Sequence, residues 1–258
     1  MGDPDLWKEG DRAVLLRAGA PAVAVALVAG AQRVGREGVL DLSAEIGRPT
    51  GGSVVWLGAT YRLVRPSLGD LLGAVRRGPQ IVTPKDAAYL AYLAGVAPGG
   101  RVAEAGAGSG ALTIALAFFV GPGGHVTTYD RRPEFLETAR QNVLRAGLAD
   151  RVTFRERDVV RDGLDVEGVG SVLLDLPEPW DVLPSALRAL APGGYAATYT
   201  PTYNQLERSV RALRAHGFDD VRAVELLERP MHVGEGGTRP EFEMLGHTGF
   251  LATGRKVA

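Results

Sequence analysis

The chain is organised around a glycine-rich stretch, EAGAGSG, at residues 104–110. A short β-like run, 101–103, precedes it, and an apolar run that begins at Ala111 follows it. Glycines at alternate positions let the backbone turn at positive φ and let a ligand approach the main chain closely. A strand, a glycine turn and a helix in this order build the nucleotide-binding crevice of an open α/β sheet. The stretch therefore predicts a nucleotide-like ligand, with a glycine-rich turn that binds nothing as the alternative.

The spacing of the glycines separates two classes of nucleotide-binding enzyme. They read G-x-G-x-G, whereas the dinucleotide fingerprint reads G-x-G-x-x-G, so a nicotinamide enzyme is disfavoured. Glu104 lies two residues before the first glycine. With this acid in front, the turn resembles that of S-adenosylmethionine-dependent methyltransferases, and the resemblance implies S-adenosyl-L-methionine as the cofactor.

Strand-like and helix-like segments alternate after residue 85, which is typical of a parallel doubly wound sheet. Strands are expected at 101–103, 125–129, 152–155, 170–174 and 195–199, with a terminal pair at 221–227 and 249–253. We therefore expect an α/β fold with a Rossmann-like sheet, and the resemblance of the glycine turn implies the class I S-adenosylmethionine-dependent methyltransferase type.

Residues 1–66 have a different character, because short β-rich runs there are separated by Gly, Pro and Asp turns. They predict a small N-terminal β-barrel-like domain, suited to binding or subunit contact. The methyltransferase domain would then cover 67–258, with 67–85 as a connecting helix and loop. Where that segment ends, Thr83, Pro84 and Asp86 predict a helix start with a capping-box-like arrangement.

Composition narrows the class of protein further. The 258 residues carry a net charge of −1 and no cysteine, which excludes disulfides and cysteine metal sites, and no metal is expected. No apolar run approaches the ~20 residues that span a bilayer, and the acidic N-terminus lacks a signal-peptide pattern, so we expect a cytoplasmic protein without a membrane partner. All but three of the 29 basic residues are arginines. Arginine suits phosphate contacts, although genomic base composition explains the same bias.

Three acids follow predicted strands and should face one crevice, because the carboxyl ends of parallel strands share one edge of the sheet. Asp130 lies 20 residues after Gly110 and is a candidate acceptor for ribose hydroxyls, with a solvated helix cap as the alternative. Asp158 is a candidate acceptor for an adenine amino group, with a surface turn acid as the alternative.

Asp175 ends a hydrophobic strand and is followed by LPEPW at 176–180, a segment that two prolines stiffen. A rigid loop with a solvated acid is one interpretation. Methyltransferases that act on adenine or cytosine nitrogens carry a similar segment. That resemblance implies that Asp175 accepts a hydrogen bond from the exocyclic amine and that Pro177 and Trp180 contact the base, the tryptophan by stacking.

A methyl transfer to a ring nitrogen fits such an acid. Adenine N1 has an in-plane lone pair, so its attack on a sulfonium methyl needs no prior deprotonation. A carboxylate on the N6 amine would hold N1 in line and stabilise the positive charge that grows on the base. Asp175 is therefore the predicted catalytic residue.

Four segments together resemble one family, the tRNA (adenine-N1)-methyltransferases. They are RRGPQIVTPKD at 76–86, the glycine turn, DLPEPW at 175–180 and MLGHTGFL at 244–251. The family methylates adenine 58 in the T-loop of tRNA, and archaeal members also adenine 57; the sequence does not decide between these positions. One departure is Thr83, where the family usually has a tyrosine.

The resemblance implies a homotetramer that grips tRNA with more than one subunit. It also implies a set of residues around the cofactor, namely Gln80, Glu104, Gly106, Ala107, Gly108, Ser109, Gly110, Ala111, Leu112, Asp130, Arg131, Phe135, Arg157, Asp158 and Asp175. The candidate substrate-binding residues are Arg76, Arg77, Pro177, Trp180 and His247, although a structural histidine in the Gly-His-Thr turn is an equal alternative for His247.

Two other functions stay open. The chain could methylate another substrate, such as a protein carboxylate or a small molecule, or it could be a non-catalytic tRNA-binding subunit. The intact glycines, Asp130 and Asp175 argue against the second of these.

Overall fold

The computed structural model describes residues 6–36, 38–75 and 82–257. Three predicted site residues, Arg76, Arg77 and Gln80, lie outside this range. The chain divides into two compact units, the first reaching to Val75 and including Leu144–Gly147, the second made of Arg76–Val143 and Leu148–Ala258. The first unit thus includes a helix that the sequence analysis assigned to the connecting segment 67–85.

The first unit is mainly antiparallel β-structure. Its elements are β1 (Arg12–Leu16), β2 (Val23–Ala26), β3 (Ala31–Val34), β4 (Gly38–Asp41), β5 (Ser53–Trp56), β6 (Ala59–Val64) and α1 (Leu68–Gly73). One sheet has the strand order β2-β1-β6-β5, and β3 pairs with β4 separately. Alternate strand residues point inward and form a core around Trp7, Leu15, Leu27 and Leu63, which are at most 1% exposed.

The second unit alternates strands and helices as predicted. Its elements are α2 (Pro84–Leu93), β7 (Arg101–Ala105), α3 (Ala111–Val120), β8 (His125–Asp130), α4 (Pro133–Ala146), β9 (Val152–Glu156), α5 (Val159–Asp162), β10 (Val169–Leu174), α6 (Leu183–Ala189), β11 (Leu190–Thr200), α7 (Tyr203–Ala215), β12 (Asp219–Glu225), β13 (Met231–Gly234), β14 (Gly237–Pro240) and β15 (Phe250–Arg255).

The central sheet has the order β12-β15-β11-β10-β7-β8-β9. Its strands from β11 to β9 are parallel, and β15 runs antiparallel to both β11 and β12. The chain winds outward from β7 in both directions, which makes the carboxyl end of β7 the topological switch point where ligands bind in such sheets. The predicted Rossmann-like sheet is confirmed.

Burial explains why the sheet forms here. Residues 102–105 of β7 are buried, and α3 is buried at every residue from Ala111 to Ala117, as expected for a helix that is apolar on all sides. In contrast, α4 and α7 are amphipathic surface helices.

The hairpin of β13 and β14 was not anticipated from the sequence. Its residues and the loop after it are mostly exposed, with Val233 at 75% and Phe242 at 86%. Within the described part of the chain, no helix combines the length and the apolar character that crossing a bilayer requires.

Candidate active site

The glycine turn at the end of β7 adopts a backbone that only glycine fits well. Gly106, Gly108 and Gly110 have φ values of +96°, +51° and +80°. A Cβ on Gly106 would lie 2.0 Å from the carbonyl oxygen of Asp175, and one on Gly110 would lie 2.9 Å from the Cα of Ala139. A Cβ on Gly108 would lie 3.9 Å from its nearest atom, so the space beside this residue is open, in contrast to the space beside Gly106 and Gly110.

Glu104 is a fully buried acid beneath this turn. Its Oε2 accepts a hydrogen bond of 2.6 Å from the Thr113 hydroxyl, whereas Oε1 has no partner of good geometry among the described residues. Burial raises the pKa of Glu104 to about 8, and the nearby Asp175 and Asp130 add to the shift. A buried carboxyl oxygen with no partner of good geometry among the described residues therefore lies beside the turn.

Asp130 closes β8 and is 7% exposed. Its carboxylate accepts from the backbone N–H of Gly108 at 3.2 Å and from that of Arg132 at 3.0 Å. These bonds hold the carboxylate at the open side of the glycine turn, and they leave further lone pairs for hydroxyl donors.

Asp158 follows β9. The sequence left two interpretations open for it, an acceptor for an adenine amino group and a surface turn acid. Its Oδ1 caps α5 by accepting from the N–H groups of Val160 and Arg161 at 3.1 and 3.3 Å, and the residue also lines the pocket. Arg157 braces the same turn by donating to the carbonyl of Gly163 at 2.7 Å and to that of Asp162 at 2.8 Å. Asp158 is thus both a helix cap and a wall of the cleft.

Asp175 stands at the end of β10, across the turn from β7. Its backbone N–H donates to the carbonyl of Ala105 at 2.9 Å, which fixes its position against Gly106. Burial raises the pKa of Asp175 to about 7, and the charge of Asp130 contributes to the shift. Two acidic side chains, Asp130 and Asp175, thus line the same cleft.

Asp130, Asp158 and Asp175 line one pocket of about 180 Å³, and the buried Glu104 is not among its lining residues. Seven predicted site residues border it, namely Gly106, Asp130, Arg131, Arg157, Asp158, Asp175 and Pro177, together with the unpredicted Tyr129, Arg132, Val159, Val160, Leu176 and Glu178. The other predicted cofactor residues, Ala107, Gly108, Ser109, Gly110, Ala111 and Leu112, form the turn itself and the start of α3, while Phe135 lies on α4 with the Arg132 guanidinium 3.5 Å from its ring centre.

Trp180 differs from its prediction. It is only 8% exposed, belongs to the core beneath the sheet, and carries the Arg208 guanidinium over its ring at 4.1 Å. Its ring is therefore unavailable for stacking on a base, because the hydrophobic core takes the aromatic side chain that follows the two prolines. Pro177 is exposed at the pocket edge, and its carbonyl accepts from the Gln205 amide at 3.0 Å.

A second polar cluster connects the Thr-Pro-Lys-Asp and Gly-His-Thr segments. The Lys85 ammonium donates to Asp86 Oδ1 at 2.6 Å, to the Leu226 carbonyl at 2.7 Å and to the Thr248 hydroxyl at 2.8 Å. Asp86 is completely buried. We call Thr83, Lys85, Asp86, Tyr199 and Thr248 the Lys85–Asp86 cluster.

Tyr199 completes this cluster from the end of β11. Its hydroxyl lies 2.9 Å from the Thr248 carbonyl and 3.2 Å from Asp86 Oδ2, and burial together with the Asp86 charge raises its pKa. The ring also explains Gly249, where a Cβ would lie 2.4 Å from Tyr199 Cζ.

The predicted helix start at Thr83 needs one correction. Pro84 is the first residue of α2, as expected, but the Thr83 side chain caps no backbone N–H. Its hydroxyl instead donates to Asp86 Oδ2 at 2.9 Å. Thr83 therefore contacts the carboxylate three residues on, as in a capping box, but its hydroxyl oxygen accepts no backbone N–H.

His247 bridges two strand ends rather than pointing into the pocket. Nδ1 lies 2.7 Å from the Glu225 carboxylate and Nε2 lies 2.8 Å from the Pro201 carbonyl. Both partners are acceptors, so these contacts favour the protonated form of the ring. The same contacts raise the pKa of His247.

In the part of the chain that the structure describes, no three His, Asp or Glu side chains are grouped so that they could bind a metal ion.

Comparison with known proteins identifies the relatives of this chain. The model of the family described as tRNA methyltransferase complex GCD14 subunit matches residues 74–237. The tRNA (adenine(57)-N(1)/adenine(58)-N(1))-methyltransferase TrmI of Methanocaldococcus jannaschii is 36% identical over 223 residues, which cover 77% of this chain and 79% of that protein.

Solved structures resemble nearly the whole chain. A SAM-dependent O-methyltransferase from Thermotoga maritima superposes with a TM-score of 0.79 at 32% identity, covering 98% of this chain and 96% of its own. The tRNA (m1A58) methyltransferase TrmI from Aquifex aeolicus superposes with a TM-score of 0.74 at 30% identity, covering 98% and 100%. The fold is thus that of the class I S-adenosylmethionine-dependent methyltransferases, and the chain belongs to the tRNA methyltransferase complex GCD14 subunit family.

Proposed function

We propose that this protein transfers a methyl group from S-adenosyl-L-methionine to N1 of an adenine in the T-loop of tRNA, at position 58 and, as in its M. jannaschii relative, position 57. The observation that carries the proposal is the Asp175 carboxyl, which lines the pocket directly beside the glycine turn.

The residues at the switch point suit this cofactor. The space above Gly108 is open, Asp130 presents a fixed carboxylate there, and Oε1 of Glu104 lacks a partner of good geometry among the described residues. Glu104 and Asp130 would hold its amino and hydroxyl groups, while Asp158 lines the adenine side. When bound, the cofactor supplies a sulfonium methyl for transfer.

The residues of this chain then orient and stabilise the base. Asp175 as a carboxylate accepts a hydrogen bond from the N6 amine, which turns the N1 lone pair toward the cofactor side of the pocket. Because positive charge moves onto the base during transfer, a carboxylate already fixed by β10 stabilises the transition state more than the ground state. No residue needs to remove a proton before the methyl is transferred.

A methyl transfer to oxygen is the second candidate, because the T. maritima neighbour is described as an O-methyltransferase. The Asp175 carboxyl argues against it. Most oxygen nucleophiles must lose a proton to react, and Asp175, the acid proposed to contact the acceptor, would repel the negative charge they then carry.

Assembly as a cytoplasmic homotetramer is part of the proposal. The exposed apolar side chains Val233, Phe242 and Leu245 on and after the hairpin support a contact with a second copy, since such surfaces mark interaction sites. Clustered arginines from several subunits would let a chain of net charge −1 bind a polyanion. Light scattering of the purified protein tests the subunit number.

The test of the activity is methyl transfer from labelled S-adenosylmethionine to unmodified tRNA, followed by nucleoside digestion. We expect label in 1-methyladenosine, with methyl transfer by Asp175→Ala slower by about 100- to 1000-fold at saturating cofactor. Label in another nucleoside, or methylation of oxygen acceptors alone, would overturn the assignment. Unchanged activity of Asp175→Ala would remove Asp175 from its role.

A further inference from the structure

We propose that Tyr203 is a stacking platform for an unpaired nucleobase of the RNA, beside the base that enters the Asp175 pocket. The inference rests on the proposed tRNA substrate and adds a specific contact to it. Trp180 does not serve as such a platform because it is buried, so the aromatic surface must come from elsewhere.

The first observation is exposure combined with rigidity. Tyr203, the first residue of α7, is 71% exposed. Its ring centre lies 4.4 Å from that of Phe250, a residue of β15 that is only 2% exposed. The His247 ring lies 4.7 Å from the same phenylalanine. A large aromatic face is therefore held in place while remaining open to solvent, which lowers the entropy lost on binding.

The second observation is the position of the ring. Leu174 pairs with Thr198 across the parallel strands β10 and β11, so both strands end at the edge that carries Asp175. Tyr203 follows β11 by three residues, and Gln205 of the same helical turn donates to the carbonyl of Pro177, which lines the pocket. The platform is thus tied to the loop that bears the predicted catalytic acid.

The third observation is the charge around the ring. The Arg208 guanidinium lies on the exposed side of the same helix, over Trp180, and the nearest acid on the helix face, Glu207, is paired with Arg211. On the other side, the His247 ring lies 2.7 Å from the Glu225 carboxylate, measured from Nδ1. Arg208 thus places a positive charge on this helix, and the neutral ring of Tyr203 is suited to stacking on a base.

An unpaired base is the partner that fits this surface. Sequence-specific RNA recognition targets loops whose bases are unstacked and then placed on aromatic side chains. A methyl transfer to N1 also requires an unpaired base, because a Watson–Crick pair would occupy the N1 lone pair with a hydrogen bond. A base next to the target, freed by the same opening, would lie within reach of Tyr203.

The experiment compares tRNA binding by the full-length protein and four variants. Tyr203→Ala and Tyr203→Leu remove the aromatic ring, the leucine keeping apolar contact with Phe250, while Tyr203→Phe keeps the ring. Tyr92→Ala is the matched control, because Tyr92 is also 71% exposed. It lies near the end of α2, just before the amino end of β7, whereas Tyr203 follows the carboxyl end of β11.

We expect the Kd for unmodified tRNA to rise about 5- to 100-fold in Tyr203→Ala and Tyr203→Leu, while Tyr203→Phe and Tyr92→Ala stay near wild type. The slope of log K against log salt should not change, because no phosphate contact is lost. The KM for S-adenosylmethionine should also stay constant.

Several results would overturn the platform. Equal tRNA affinities of Tyr203→Ala and wild type would do so. A smaller slope of log K against log salt in Tyr203→Ala would also do so. A lower mass of this variant in light scattering would show instead that Tyr203 contacts a second copy of the chain. Failure of the proposed function is distinct: the wild type would then bind tRNA without forming 1-methyladenosine, and the affinity comparison would still decide the role of Tyr203. If the wild-type protein bound no tRNA, both the proposed function and the proposed role of Tyr203 would be overturned.

Discussion

The glycine turn and the Lys85–Asp86 cluster are built in opposite ways. Residues 104–110 of the turn are contiguous, and one strand-to-helix connection fixes their geometry. The cluster joins Asp86 to Tyr199 across 113 residues and Lys85 to Thr248 across 163 residues. The turn therefore depends on backbone conformation, whereas the cluster depends on the whole sheet placing α2, β11 and the end of the chain together. The two should respond differently to substitution.

The largest expected effect is at the turn, with Gly106→Ala. The added Cβ would lie 2.0 Å from the Asp175 carbonyl oxygen, which belongs to the backbone and cannot rotate away. We expect a loss of unfolding free energy on the order of 5 kcal/mol, the extreme of the range for point substitutions. Urea denaturation measures it.

Gly123→Ala is the control for this substitution. Gly123 has φ +92°, close to that of Gly106, but a Cβ there would meet no atom within 4 Å. Its cost should be about 1–2 kcal/mol, the conformational part alone. Equal losses for the two variants would show that the close approach to Asp175 does not constrain the turn.

The cluster is broken by Lys85→Met. The completely buried Asp86 would keep its hydroxyl donors but lose the Lys85 ammonium as its partner. We therefore expect the free energy of unfolding, measured by urea denaturation, to fall by about 3 kcal/mol. The double variant Lys85→Met, Asp86→Leu should regain much of this loss. For comparison, the exposed pair of Arg211 and Glu207 should lose less than about 1 kcal/mol in Arg211→Met. A double variant no better than the single one would argue against an unpaired buried charge.

Glu104 gives the turn a pH dependence. Folding raises its pKa from 4.5 to about 8, so the folded protein keeps a proton that the unfolded chain releases between these values. The stability contributed by this proton is complete below pH 4.5 and is lost as the pH rises to about 8. In calorimetry without cofactor, Tm should fall less over this interval in Glu104→Gln than in wild type. Parallel Tm curves would contradict the raised pKa.

The smallest effect belongs to His247, beside the cluster. Its pKa should exceed the usual 6.5, because Glu225 and the Pro201 carbonyl both accept from the ring. Its contribution to stability is complete below pH 6.5 and is lost as the pH rises through the raised pKa. An NMR titration measures this pKa, and Glu225→Gln should return it toward the usual value. A titration at or below 6.5 in the wild type would rule out the bridging cation.

Much of the turn was predictable from the sequence because its information is local. Glycine spacing, the leading Glu104 and an acid after the second strand all lie within one βαβ unit, and the parallel sheet that they imply is present. Asp158 shows the limit of such reasoning, since the sequence could not reveal that a helix cap also lines the pocket.

The cluster was not predictable for the complementary reason. The Thr-Pro-Lys-Asp and Gly-His-Thr segments were each noticed, but nothing in their spacing indicates that Lys85 and Thr248 meet. Trp180 failed similarly, because an aromatic residue after prolines suits a binding loop and a core equally well. The exposed platform of Tyr203 had no sequence signal at all.

The close fit of Gly249 against Tyr199 has a consequence for how such chains diverge. The glycine leaves room for the ring, the ring hydroxyl contacts Asp86, and Asp86 in turn requires Lys85. A first mutation at any of these positions harms the fold before a second can compensate. We therefore expect the two ends of the domain to change together during evolution or not at all, so that recombination between distant relatives succeeds only when both segments come from the same parent.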